Sequence, residues 1–237
     1  MKNYVILLAG GVGKRMGAGI PKQFIEVKKK PIIIYTLESF QKNPQIEKIV
    51  IVCVKDWIDK VHNLVTEYCL NKVEWVIEGG NTGHDSIRNG VFFLKDKIGS
   101  DDFIVVHDAV RPIIPQDIIN GVINVAHEKG NSAASIACHP PIVYTEDFKS
   151  GIKDVDREHV MLTASPQAFR YSLALKCYQQ AEKDNLHDTT FTSSLLIHYG
   201  ERVYFAKGTT CNIKITKKED LALFESLLSI PEEAFCS

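Results

Sequence analysis

Five short apolar runs, Tyr4 to Leu8, Lys48 to Val54, Val73 to Ile77, Phe103 to His107 and Ala133 to Cys138, are rich in Val and Ile and show little polar alternation. Strands buried on both faces read this way, and such strands belong to parallel sheets covered by helices. Between them lie Pro31 to Gln41, Trp57 to Cys69, Asp85 to Lys95 and Pro115 to Glu128, where apolar residues recur every three or four positions. The alternation predicts an α/β fold, a doubly wound Rossmann-like and mostly parallel sheet with helices on both faces.

The second half departs from this rhythm. His139 to His159 is polar, marked by Pro and Gly and weakly alternating (IVYTEDFKSGIKDVDREH from Ile142), which predicts a β-arm over about 139–160 projecting from the sheet. After SPQAF the pattern predicts helices near Tyr171 to Asp184 and Phe191 to Tyr199, a strand at Arg202 to Ala206, and a closing helix from Lys217 to Leu228. With 237 residues and no repeat or flexible linker, one domain over 1–237 is the simplest organisation.

The bulk charge narrows the classes of partner. Twenty-eight Lys and Arg against 29 Asp and Glu leave a net charge of −1, so the chain as a whole does not attract a polyanion, and nucleic acid is an unsuitable ligand. Any phosphate site must be local. The six cysteines form no CxxC pair, which argues against a zinc site or a compact disulfide framework and fits a reduced, cytoplasmic protein. No run approaches the roughly 18 apolar residues of a membrane span.

The local phosphate site is legible at LLAGGVGKRMGAGIPKQF, which starts at Leu7, where the first strand gives way to glycines flanked by Arg15 and Lys22. Glycines let backbone N–H groups converge on phosphate oxygens, and the two cations can add charge-assisted bonds. A glycine-rich turn with solvated basic residues would use the same composition. The Walker loop is excluded, because Gly13-Lys14 is followed by Arg15 where a Ser or Thr is required. The dinucleotide fingerprint fits only in part, since Met16 stands at its third glycine.

The passage AGGxGxRMG followed by PKQ resembles the signature of nucleotidyltransferases that consume a nucleoside triphosphate and release pyrophosphate. Further segments, in order along almost the whole chain, extend that likeness: GGNTGHDSIRNG at 79–90, VHDAVRP at 106–112, ASPQAF at 164–169 and NIKIT at 212–216. Together they resemble the CTP-dependent polyol-phosphate cytidylyltransferases, a group that makes CDP-linked polyols from ribitol 5-phosphate or 2-C-methyl-D-erythritol 4-phosphate. PIIIYTLESF and IEKIVIVCVKDW look more like the ribitol-phosphate branch.

The resemblance implies roles. Arg15, Lys22 and Lys214 would stabilise the charge of the transfer; Leu8, Ala9, Gly10, Gly11 and Gly13 would contact CTP; Gly79, Gly80, Asp85 and Ser86 would recognise the nucleoside. Asp108 would contact CTP and hold Mg²⁺, while Arg111, Arg157 and Ser165 would serve the acceptor phosphate, with Arg157 reaching a neighbouring subunit of a homodimer. His107 is expected beside the site rather than in the chemistry, and Trp57 and Trp75 are expected to pack. Several positions depart from the group's pattern: Pro140 and Pro141 where an Asp-Thr pair is usual, Gly83 for an Arg, Ser165 for a Thr, and His187 for a Thr. Proline has neither a hydroxyl nor an N–H to offer, so the acceptor half departs most. A non-catalytic nucleotide-binding homologue is the rival reading of those departures, and a nicotinamide-dependent reductase is a third.

Overall fold

The computed structural model describes residues 1–11, 20–189, 191–231 and 234. All five predicted buried strands form: β1 (Asn3–Ala9), β4 (Ile46–Cys53), β5 (Val73–Glu78), β6 (Phe103–Asp108) and β7 (Asn131–Ala137). Two short strands, β2 (Glu26–Val27) and β3 (Lys30–Pro31), make a separate ribbon after the glycine-rich passage. The helices follow the predicted periodicity as α1 (Ile32–Lys42), α2 (Ile58–Glu67), α3 (Gly83–Phe93) and α4 (Gln116–Lys129). The later part adds the arm strands β8 (Ile142–Tyr144) and β9 (Lys153–Val155), then β10 (Met161–Arg170), α5 (Tyr171–Lys183), α6 (Thr192–His198), β11 (Phe205–Lys207) and α7 (Lys218–Leu227).

Seven strands make one sheet in the order β11-β7-β10-β6-β1-β4-β5. All neighbouring pairs are parallel except those of β10, which runs antiparallel to both β6 and β7. Alternate residues of β1 show how the sheet is covered. Val5, Leu7 and Ala9 bury against α1, α2 and α4, whereas Ile6 buries on the other face with α3, α5 and α6. A third, smaller cluster joins α7, through Phe224 and Leu227, to Val110 and Ile113 just beyond β6.

Two elements differ from the sequence reading for identifiable reasons. β10 is a central strand that the pattern does not suggest, because Pro166 interrupts it and a proline normally demotes a strand. The sheet accommodates Pro166 with an irregularity: Ala164 faces Ala134, Gln167 faces Ala133, and the two residues between them stay out of register. β11 is shorter than Arg202 to Ala206 and shifted toward the C-terminus. There Asn131 takes over part of the ladder, its Nδ2 donating to the Arg202 carbonyl at 2.9 Å and its Oδ1 accepting from Tyr204 N at 3.3 Å.

The winding direction fixes where a ligand can sit. From β1 the chain runs outward to β4 and β5, then returns to place β6 on the opposite side of β1. The carboxyl ends of β1 and β6 therefore flank the switch point, where open α/β sheets leave a crevice. Leu8 and Asp108 are register partners at that crevice. Among the described residues no helix is long and apolar enough to cross a membrane.

Candidate active site

β1 ends at Ala9, whose carbonyl accepts a 2.6 Å hydrogen bond from the Gln23 amide. This bond brings the chain after the glycine-rich passage back to the strand end and places Lys22 at the crevice, where its aliphatic stem runs beside Gly11. Phe24 completes the anchor by stacking on Trp57 at 4.7 Å between ring centroids. Trp57 therefore packs, and so does Trp75, edge-on to Phe93. Gly13 and Arg15 lie outside the described residues.

The opposite wall is the start of α3. Thr82 caps the helix, accepting from Asp85 N at 3.0 Å, while the Asp85 carboxylate accepts from Thr82 N at 3.2 Å. This reciprocal pair satisfies backbone donors that a helix start otherwise leaves open. Ser86 Oγ accepts from Gly80 N at 3.1 Å and donates to the Thr82 carbonyl at 2.9 Å, locking the turn after β5 to the helix. Gly80 has no substitute here, since a Cβ would run into the Asp85 side chain; at Gly90 a Cβ would press to 2.8 Å from Ile6, so its absence lets α3 lie against β1. Asp85, expected to read the nucleoside, has its carboxylate in the cap and near Arg88, at 3.5 Å. It shapes the wall rather than lining the cleft.

At the end of β6 stands Asp108, its side chain nearly buried between two cations. Lys214 Nζ is 3.1 Å from one carboxylate oxygen and Arg111 Nε 3.1 Å from the other. Its backbone N donates to Ser165 Oγ at 3.2 Å. Burial alone would raise this carboxyl, but Lys214, Arg111 and the Lys214 hydrogen bond outweigh it and hold the group below the ordinary carboxylate range. Arg111 is fixed in turn by donating to the Asn212 carbonyl at 2.7 Å, and the Asn212 amide donates to the Ser165 carbonyl at 2.6 Å. His107 is fully buried beside the site. Full burial pushes its pKa down to about 4, and as a neutral ring it donates from Nε2 to the Arg111 carbonyl at 3.0 Å.

These walls enclose a cleft of about 320 Å³ that brings together Leu8, Gly10, Gly11, Lys22, Gly80, Ser86, Asp108 and Lys214 of the predicted residues. Ala9 is tied to Gln23 of the cleft, and Gly79 lies against Ser86. Gln23, Asn81, Thr82, Gly83 and Val110 also line it, each within a segment that carries the resemblance. Beyond Asp108 a second depression of about 180 Å³ is lined by Arg111 with Ser135, Thr163, Thr209, Thr210 and Asn212. Of these, Arg111 and, within NIKIT at 212–216, Asn212 were legible in the sequence, whereas Ser135, Thr163, Thr209 and Thr210 were not, because they come from β7, β10 and the turn after β11. Arg157 is not in either hollow: it sits in the 3-10 turn at the base of the arm and donates to the His139 carbonyl at 2.6 Å.

A glycine-lined crevice with cations at its end, beside a buried Asp at a switch point, is a phosphate-handling arrangement. The family described as 2-C-methyl-D-erythritol 4-phosphate cytidylyltransferase matches residues 3–229. This chain belongs to that cytidylyltransferase family. A ribitol-5-phosphate cytidylyltransferase of Lacticaseibacillus paracasei is 42% identical over 225 residues, covering 94% of this chain and 96% of the relative. A 2-C-methyl-D-erythritol 4-phosphate cytidylyltransferase of Clostridium botulinum is 37% identical, with 96% and 97% covered. Among solved structures, the Francisella tularensis 2-C-methyl-D-erythritol 4-phosphate cytidylyltransferase superposes with a TM-score of 0.80 at 27% identity, covering 95% of this chain and all of that one. The cytidylyltransferase is thus a nucleotidyltransferase, and its mostly parallel α/β sheet is the fold of its relatives. Within it, Asp108 lines the first hollow and its ion-pair partner Arg111 lines the second.

Proposed function

We propose that the enzyme transfers the cytidylyl group of CTP to D-ribitol 5-phosphate, giving CDP-ribitol and pyrophosphate, as a cytoplasmic homodimer that uses Mg²⁺. The observation that carries the reading is Asp108 clasped by Lys214 and Arg111, because this one carboxylate joins the cleft to the hydroxyl-rich depression. The choice of acceptor is supported by relatives at 42% and 38% identity that bear the ribitol-5-phosphate name. The relative at 37% identity favours 2-C-methyl-D-erythritol 4-phosphate as the second candidate.

In this reading the backbone of Gly10 and Gly11 and the ammonium groups of Lys22 and Lys214 receive the triphosphate, with the nucleoside against Gly80 and Ser86. Arg111 holds the acceptor's phosphate, and Ser135, Thr163, Thr209 and Thr210 face its polyol chain. An acceptor phosphate oxygen then attacks the α-phosphorus as the bond to the β-phosphate oxygen breaks and pyrophosphate leaves. No covalent intermediate is needed, so positioning and charge stabilisation supply most of the catalysis.

Among the described residues no three His, Cys, Asp or Glu cluster as a metal site. One carboxylate fits Mg²⁺ nonetheless, since that ion takes one or two protein carboxylates and completes its shell with water and substrate phosphates. Asp108 is the residue that would hold it, and the ion would neutralise charge on the triphosphate. The dimer is supported by the arm. Asp147 accepts from Lys149 N and Ser150 N, each at 2.8 Å, closing a tip on which Phe148 stands 94% exposed beside exposed Val143, Tyr144 and Ile152. An apolar surface of this kind is a usual site of protein contact. The cytoplasmic setting is supported by the five described cysteines, all free thiols.

A pyrophosphate-release assay with CTP, Mg²⁺ and a panel of polyol phosphates tests the proposal. D-ribitol 5-phosphate should give the highest kcat/KM, and a higher value for 2-C-methyl-D-erythritol 4-phosphate would overturn the acceptor assignment. Turnover of none, with CTP still bound, would identify the non-catalytic homologue.

A further inference from the structure

Lys214 has a long, flexible side chain that remains about one-third exposed, yet the transfer needs its ammonium in one place. Asp108 holds it from one side at 3.1 Å. On another side the ring of Phe191 has its centroid 5.9 Å from the same Nζ, within reach of the attraction between a cation and an aromatic face.

Described residues on either side of Phe191 are themselves bound into the fold. Immediately after it, α6 is bound to the core by its fully buried Leu195 and Leu196, by Thr192 Oγ1 against the Tyr178 hydroxyl at 3.1 Å, and by Ser193 N donating to Gln167 at 3.3 Å. Two residues before it, Thr189 Oγ1 lies 2.7 Å from His84 Nδ1, a contact spanning 105 positions. His84 is 2% exposed, packs on Tyr178 at 5.2 Å, and leaves its Nε2 with no partner. A buried nitrogen without a partner is costly, and an apolar side chain would fill the space without that cost. The bond to Thr189 is what histidine adds at this position. His84 is also the second residue of α3, between Gly83 and Ser86 of the cleft wall.

We propose that Phe191 is a positioning residue for Lys214 and that the His84–Thr189 hydrogen bond sets Phe191, so that the nucleoside wall and the cation of the transfer centre are placed by one connection. The proposal rests on the reading of Lys214 as a group of the transfer centre. It assigns no chemistry to Phe191 or His84, which act through Lys214.

Two matched pairs of variants test it: Phe191→Leu against Phe191→Tyr, and Thr189→Val against Thr189→Ser. Two readouts are taken on each folded variant. One is kcat and KM for CTP. The other is the rate at which an amine-selective acylating reagent labels Lys214, followed by mass spectrometry of its peptide. Phe191→Leu should lower kcat about 2- to 5-fold with KM for CTP nearly unchanged, the size expected for one lost cation–aromatic contact, and should raise Lys214 labelling by a similar factor. Phe191→Tyr should restore both. Thr189→Val should shift labelling in the same direction, with Thr189→Ser close to wild type. Equal labelling and equal kcat within each pair would overturn the proposal. Should Phe191→Leu fail to fold, the Thr189 pair decides. Should the wild type turn over none of the polyol phosphates, the functional reading falls, while the labelling comparison still decides whether Phe191 and Thr189 place Lys214.

Discussion

The two hollows beside Asp108 are built in opposite ways. The α3 wall of the glycine-lined cleft is held by bonds between near neighbours: the Thr82–Asp85 cap spans three residues, and Ser86 reaches back six to Gly80 and four to Thr82. The depression around Arg111 is tied by long links: Asp108 to Ser165 across 57 positions, Asn212 to Ser165 across 47, and Arg111 to Asn212 across 101. In the proposed reading, a wall fixed by short local contacts receives what every substrate pair shares, the nucleotide. A surface made of individual side chains from distant segments can change one residue at a time, which suits it to the partner that varies between relatives.

Asp108 lines the cleft and pairs with Arg111 of the depression, so its loss breaks the comparison most severely. Asp108→Asn keeps the shape but removes the charge that Lys214 and Arg111 clasp. We expect kcat to fall by about 100- to 1,000-fold, the scale of removing one preorganised electrostatic contact at a transfer centre, with the fold retained by circular dichroism. A decrease of less than a few-fold would mean that the two hollows function without their common carboxylate.

His107 provides a second way to separate scaffold from chemistry. Its pKa falls from 6.5 in the unfolded chain to about 4 in the fold, chiefly through burial. Between those values the unfolded chain binds the proton and the folded chain does not, so stability rises with pH across this window and is lost as pH falls from 6.5 toward 4. The full contribution is about 3 kcal/mol at 1.36 kcal/mol per pKa unit. His107→Leu should flatten the decline in urea-unfolding stability between pH 6.5 and 4, relative to wild type. An equally steep decline in the variant would show that the imidazole is not the group responsible.

The same contrast explains what the sequence disclosed. The parallel strands were legible because burial on both faces leaves unbroken Val- and Ile-rich runs, as in Ile46–Cys53 and Phe103–Asp108. The cleft was legible because its contacts lie within short contiguous segments, with Lys214 the one distant addition. β10 was hidden by Pro166, whose effect on a strand is decided by a local irregularity that no periodicity records. The depression was hidden because Ser135, Thr163, Thr209 and Thr210 carry no local pattern, and meet only when β10 enters the sheet between β6 and β7. Asp85 shows the remaining ambiguity: a carboxylate three residues into a helix suits both a ligand and a cap, and here it serves the cap.

The smallest expected effect sharpens the division most directly. Thr163 lies on β10 at the lip of the depression, more than one strand away from the glycine wall. Thr163→Val keeps the branched shape and removes one hydroxyl that would face the polyol. The loss of one neutral hydrogen bond amounts to about 0.5–1.5 kcal/mol, so KM for the acceptor should rise about 2- to 10-fold. KM for CTP should stay at the wild-type value, because the Ser86–Gly80 wall makes no use of β10. Steady-state kinetics with each substrate varied in turn measures both constants. A parallel rise in the two would show that the hollows are energetically one site, and that the separation drawn from their hydrogen bonds does not extend to binding.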